Sequence, residues 1–106
     1  MTDFIILIGL TTYVDLGDDA DRDRGKRLWD ISDLVFSFGP AWMGNQSSIL
    51  LKSALSRDEI VDRIAPLVSH SDLVGLIEIT TNSVTMIGYT ADEEGLDALY
   101  PNVRRV

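Results

Sequence analysis

Residues 56–80 read SRDEIVDRIAPLVSHSDLVGLIEIT, a run that passes from a helix start through a helical stripe into an apolar strand. Ser56 with Glu59 three residues later makes a capping box, in which each side chain reaches the backbone N–H at the other's position. Ile60, Val61, Ile64, Leu67 and Val68 recur at spacings of three and four, while Arg57, Asp58, Asp62 and Arg63 fall on the other side. One face of the helix is therefore predicted to be buried. Pro66 cannot donate to the Asp62 carbonyl, so the helix is expected to kink or tighten there and to end near Ser69. His70 follows that end, where a protonated imidazole favours the negative pole of the helix. With no cysteine and no second histidine in the chain, His70 is not assigned to catalysis. Residues 73–79, LVGLIEI, are apolar but for Gly75 and Glu78. They are too few for a typical helix and predict a strand buried on both faces. Asn82 and Ser83 mark a turn, and Val84 to Tyr89 is expected to return as the second strand of a hairpin.

Upstream, Phe4 to Leu10, FIILIGL, is apolar at both alternating positions, as a central strand covered on two sides would be. Leu28, Ile31, Leu34, Val35 and Phe38 give a second helical stripe and Gly39-Pro40 a stop, which predicts a helix over about Asp19 to Ser37. Ala41 to Met43 can begin a short strand. Gly44 to Ser47 has turn composition, and Ser48 to Ala54 alternates in two registers, so these segments predict a hairpin. A short helix is expected over Ala91 to Leu99. Strand, helix, hairpin, helix, strand is the split βαβ plan, so the expected class is α+β, a ferredoxin-like βαββαβ sandwich with an extra C-terminal strand, in which residues 1–106 form one domain.

Composition narrows the field. A chain of 106 residues, 45% hydrophobic and 25% charged, has the make-up of a globular domain able to bury one core without disulfides or structural metal. The absence of cysteine excludes a disulfide framework, a zinc-thiolate site and a thiol nucleophile. The longest apolar run, Phe4 to Leu10, is far short of a membrane span, and the MTDF start has neither the basic region nor the cleavage pattern of a secretory signal. A cytoplasmic location with no membrane partner is expected. A formal net charge of −8 disfavours the phosphate backbone of nucleic acids, so no nucleic-acid partner is expected.

In the split βαβ plan both helices cover one face of the sheet, and the apolar second face needs a cover. Ile5, Leu7, Val74 and Leu76 are assigned to an interface with a second copy of the chain, packed sheet to sheet about a two-fold axis. The alternative cover is the C-terminal segment folded back on the sheet.

The most conspicuous polar cluster is Asp15, Asp18, Asp19, Asp21 and Asp23. Read as a calcium loop, Asp19, Asp21 and Asp23 fill the first, third and fifth positions, but Arg24 stands where the loop requires glycine and Asp30 where it requires a bidentate Glu. Asp at a helix start is also accounted for by capping and the macrodipole. Asp15, Asp18 and Asp19 are retained as candidate metal ligands. No cofactor is expected otherwise, and no complete catalytic set is present. The Arg104-Arg105 pair reads as a solvated tail.

The strand FIILIGL, the hairpin AWMGNQSSILLKS, the pattern S-x-x-E-I-x-D-R-I-x-P-L from Ser56 and the run H-S-D-L-V-G-L-I-E-I from His70 together resemble the small SinR-type proteins. Those are related to the CRISPR-adaptation endoribonuclease-like and virulence-associated ribonuclease groups. The resemblance spans most of residues 3 to 80 and implies a ferredoxin-like fold and a sheet-to-sheet dimer. In nuclease-like members an Asp closing the first strand helps hold a metal ion at the dimer interface. Gly9 stands at the matching position, and Asp15 is the nearest carboxylate downstream. Without a carboxylate at the strand end, Mg²⁺ has no clear oxygen anchor there. The function expected is a small acidic, non-catalytic homodimeric module that interacts with or regulates another protein. The alternatives are a metal-dependent ribonuclease, with Mg²⁺ on Asp15 and Asp18 or Asp19, and an acidic inhibitor that presents carboxylates in place of phosphates.

Overall fold

The computed structural model describes residues 1–11, 13–45, 47–80, 84–86 and 92–105, with the backbone alone at Val14, Asp15 and Arg105. The first strand, β1 (Thr2–Gly9), pairs antiparallel with β3 (Ser48–Ser53) on one side and with β4 (Leu73–Ile79) on the other. Strand β2 (Ala41–Asn45) joins the far edge of β3, also antiparallel, giving the order β2-β3-β1-β4. Helices α1 (Ala20–Phe36), α2 (Arg57–Ile64) and α3 (Glu93–Leu99) complete an α+β fold.

Register decides what each face holds, because side chains alternate along a strand. Phe4 lies opposite Leu51 and Ile6 opposite Ile49 on β3, while Ile6 meets Leu76 and Ile8 meets Val74 on β4. These residues share one face. There they form the main core with Ile31 and Val35 of α1 and Ile60 and Ile64 of α2, with Val74 and Leu76 packed against it. Burial of each such aliphatic contributes about 1.5–3 kcal/mol, so this face anchors both helices.

Local chemistry sets the element ends. The capping box at Ser56 is formed: its hydroxyl accepts from the Glu59 N–H at 3.1 Å, and the Glu59 carboxylate accepts from the Ser56 N–H at 3.2 Å. At Pro66 the helix tightens as expected into a 3-10 turn over Ala65–Leu67, closed by the Val68 N–H on the Ala65 carbonyl. Before α1, Val14–Asp19 forms a 3-10 segment broken at Gly17, whose φ of 58° is open to glycine. After α1, Gly39 adopts φ 154°, and a Cβ there would stand 2.1 Å from the Lys52 carbonyl oxygen. The turn is clamped from beneath by Ser53, which is buried, donates to the Phe38 carbonyl at 2.7 Å and accepts from the Leu55 N–H at 3.1 Å.

The second face of the sheet is covered over one half. Trp42 and Leu50 lie opposite each other on that face and pack with Leu96 and Leu99 of α3, with Tyr100, and with Val84, Met86 and Val103. Gly44 makes room for the Trp42 indole, since a Cβ there would fall 2.2 Å from the ring. The indole N–H donates to the Asp92 carbonyl at 3.0 Å, at the start of α3.

Four expectations are corrected. The segment from Val84 was expected to pair with β4; instead β5 (Thr85–Met86) pairs in parallel with β6 (Arg104–Arg105) in a separate two-stranded sheet. Val84 and Met86 pack against the cluster around Trp42. Asn82, Ser83 and residues 87–91 lie outside the described residues. Strand β4 is not buried on both faces, because it is an edge strand with Leu73 70% and Ile77 45% exposed. The quartet Ile5, Leu7, Val74 and Leu76 does not share a face: the register sends Val74 and Leu76 to the helix side and leaves Ile5 and Leu7 with Leu73 and Ile77 on the other. Arg104 and Arg105 form β6 instead of a free tail, with the Arg104 N–H on the Val84 carbonyl at 2.8 Å.

Candidate functional site

The half of the second sheet face that α3 leaves open is made by β1 and β4. Ile5 pairs directly with Ile77, and Leu7 stands opposite Gly75 between Ile77 and Leu73. Leu7 is 42% exposed. Four large aliphatic side chains therefore form one continuous apolar surface, with Ile5 half-buried at its inner edge and Leu7, Leu73 and Ile77 exposed. Gly75 leaves a dip in that surface, because a Cβ there would contact the Leu7 side chain at 3.6 Å.

A polar barrier bounds this surface at one end of β1 and β3, while Ile5 adjoins the covered half directly through its cross-strand partner Leu50. Asp3 and Lys52 are direct cross-strand partners, with Nζ 3.5 Å from Oδ2. The Tyr100 hydroxyl donates to the same Oδ2 at 3.2 Å, and Lys52 Nζ lies 4.6 Å from the centre of the Tyr100 ring. Burial, then the Asp3 charge and the hydrogen bond to it, push the Tyr100 hydroxyl up to about 12. The trio fastens the C-terminal segment to β1 and β3 and fixes how far the cover extends.

At the opposite end of β1 a second polar cluster fixes the loops. The Asp72 side chain is fully shielded from solvent and accepts from the Thr11 N–H at 2.8 Å, from Arg27 at 2.8 Å and from the Ser69 hydroxyl at 3.0 Å. Arg27 also donates to Asp23 at 2.9 Å and to the Thr11 carbonyl, and stacks over the Tyr13 ring at 4.7 Å. The Tyr13 hydroxyl meets the Ser69 hydroxyl. Burial pushes the Asp72 carboxyl up, but the hydrogen bonds from Thr11, Arg27 and Ser69 outweigh it and hold the group down at about 2. Every acceptor of this carboxylate is committed within the fold, so the cluster is a clamp and offers no open ligand position. It was not singled out in the sequence because Arg27 and Asp72 belong to separate elements. Only the i, i+4 spacing of Asp23 and Arg27 was a local signal.

The candidate metal ligands are placed as follows. Asp18 and Asp19 are exposed on the 3-10 segment, and Asp19 lies 3.7 Å from Arg22. The side chain of Asp15 lies outside what is described. Asp21 and Asp23 both sit in α1, where residues two apart point to different sides, so the calcium-loop order Asp19, Asp21, Asp23 does not converge. Among the described residues no group of three His, Asp or Glu side chains could hold a metal ion. His70 is exposed in the turn before β4. Gly9, at the position matched to a nuclease aspartate, is the last residue of β1 and faces Leu73. No helix among the described residues is long and apolar enough to cross a membrane.

These features define the class: an α+β domain whose most distinctive surface is an uncovered apolar sheet face. Comparison of the chain with protein-family models, curated proteins and solved structures finds no significant match to any of them.

Proposed function

We propose that the chain is a ferredoxin-like, non-catalytic homodimeric module that acts by binding other proteins, with the open face of β1 and β4 as the dimer contact. The strand order β2-β3-β1-β4, all antiparallel with α1 and α2 on one face, supports the fold reading. The observation that carries the dimer is the exposure of Leu7, Leu73 and Ile77 side by side on a flat surface. A contiguous aliphatic patch on a sheet is unfavourable in water and is self-complementary across a two-fold axis. Two such faces would stack as in a β-sandwich, with the patch at the centre and the Asp3, Lys52 and Tyr100 barrier at the rim. The acidic balance of the rest of the surface suits a protein partner better than a nucleic acid. Light scattering across a range of concentrations tests the reading: a mass of two chains supports it, and one chain at every concentration overturns it.

A further inference from the structure

Trp29 and Phe36 stand seven residues apart on α1, off the stripe that packs on the sheet, and are 70% and 45% exposed. With Leu28 and Ser32 of α1 and Met43 of β2 they line a groove of about 760 Å³, within the range of formed binding sites. The groove runs between the outer flank of α1 and β2, the last strand of the sheet. The backbone of β2 is set for a further neighbour. Lys52 donates to the Pro40 carbonyl at 2.8 Å, so by the alternation of antiparallel pairs Trp42 bonds inward to Leu50, while Ala41 and Met43 direct their N–H and C=O groups outward. A strand added there would place every second side chain in the groove beneath Trp29 and Phe36.

Two polar observations specify the occupant further. Ser32 is only 8% exposed and lines the groove, yet its Oγ has no hydrogen-bond partner among the described residues, and an unmet buried hydroxyl is costly. Asp21 and Asp33 flank the groove and form no ion pair among the described residues, while Arg24 is turned to the Leu10 carbonyl at 3.3 Å. Arg24 also lines the groove, and two carboxylates against one guanidinium leave the charge presented to an occupant negative.

We infer that the groove between α1 and β2 receives an extended segment of a partner protein, adding as a fifth strand to β2, whose groove-facing side chains, every second residue, are aliphatic in the middle and basic at the two ends. Backbone hydrogen bonds to Ala41 and Met43 supply affinity, the middle of the groove reads the aliphatic side chains, and Asp21 and Asp33 on its flanks select the basic ones at the outer positions of the same face. The site lies at the opposite edge of the sheet from β4 and does not depend on the proposed dimer.

The test uses the blocked synthetic peptide Lys-Thr-Val-Thr-Val-Thr-Lys, whose lysines and valines share one face of an extended strand, beside the same pattern with glutamate in place of lysine. On titration of the lysine peptide, the emission of exposed Trp29 should move to the blue, while that of buried Trp42 stays. Hydrogen exchange at the amides of Ala41 and Met43 should slow. Ala41→Pro removes an outward donor without breaking the β2–β3 ladder and should weaken binding about tenfold. Asp21→Lys with Asp33→Lys, both at exposed positions, should reverse the preference towards the glutamate peptide. Absence of any emission shift and amide protection overturns the proposal, as does equal binding of both peptides or binding unaffected by Ala41→Pro. Protection of Ala41 and Met43 that grows with protein concentration and needs no peptide would make a second copy the occupant and overturn it as well.

Discussion

The Arg27 guanidinium donates to the Asp72 carboxylate at 2.8 Å, across 45 positions of sequence, and so ties the middle of α1 to the loop that leads into β4. Because Asp72 is shielded and accepts from three residues, removing it leaves Arg27 and the Thr11 N–H without their partner. Asp72→Ala is expected to destabilise the protein by about 3 kcal/mol, read as a lower midpoint in urea unfolding with an unchanged slope. A change within a few tenths of a kcal/mol would mean that water replaces the carboxylate at no loss.

The same carboxylate sets acid sensitivity. It titrates at about 2 in the fold and at about 3.9 in an unfolded chain, so the folded value is depressed. Its contribution, of the order of 2 kcal/mol, is complete above about pH 4 and is lost as pH falls towards 2. Unfolding free energy measured from pH 5 to pH 2 should fall more steeply in the parent protein than in Asp72→Ala.

Tyr100 governs the alkaline limb. Its hydroxyl is raised to about 12 in the fold against about 10 unfolded, which means that the folded state keeps a proton the unfolded chain releases. Stability from this group is therefore whole below about pH 10 and declines as pH rises towards 12. Tyr100→Phe should cost about 1.5 kcal/mol at neutral pH through the lost hydrogen bond to Asp3 and should flatten the alkaline decline. An equally steep decline in the variant would assign it to another group.

At Gly39 the expectation is steric. The positive φ and the approach of a Cβ to 2.1 Å from the Lys52 carbonyl oxygen mean that Gly39→Ala must displace the backbone of β3 or of the turn. A loss of about 3 kcal/mol is expected, visible in thermal unfolding, whereas Gly25→Ala, with open space around it in α1, should leave stability equal or slightly higher.

What the sequence disclosed follows the range of the forces involved. The Ser56–Glu59 box, the tightening at Pro66 and the strand over Leu73–Ile79 depend on residues within a few positions of one another, and the structure places each where the spacing did. The face of β4 was misread because alternation fixes which residues share a face but not which face meets the helices. That requires the pairing of Ile6 with Leu76, set 70 residues apart. The parallel pair of β5 and β6 escaped for a similar reason, since two-residue strands carry no period, and Val84 packs in the cluster around Trp42, which is distant in sequence. For the candidate site, Ile5 and Leu7 were legible as residues of the second face, but how much of that face α3 and Tyr100 cover depended on the link from Tyr100 to Asp3. The groove left a trace that was available, Trp29 and Phe36 at helical spacing outside the main stripe.

The proposed dimer contact is tested most directly by two neighbouring residues on opposite faces of β4. Ile77 lies on the open face, 45% exposed, so Ile77→Glu places its carboxylate in water in the single chain and should leave the fold intact. In a stacked dimer the same carboxylate would be buried against aliphatic side chains near the two-fold axis, at a cost of several kcal/mol, enough to shift the protein to monomers. Leu76 is half-buried on the helix side of β4, packed against the main core, so Leu76→Glu sets a charge against that core within one chain and should lower its stability whether or not it dimerises. Thermal unfolding followed by circular dichroism, with light scattering, therefore gives different signatures: a monomer with its fold intact for Ile77→Glu, a chain of lowered stability that keeps the parent's mass while folded for Leu76→Glu. A folded Ile77→Glu variant that keeps the mass of two chains would move the interface away from β1 and β4. A Leu76→Glu variant as stable as the parent would contradict the register of β1 against β4 itself.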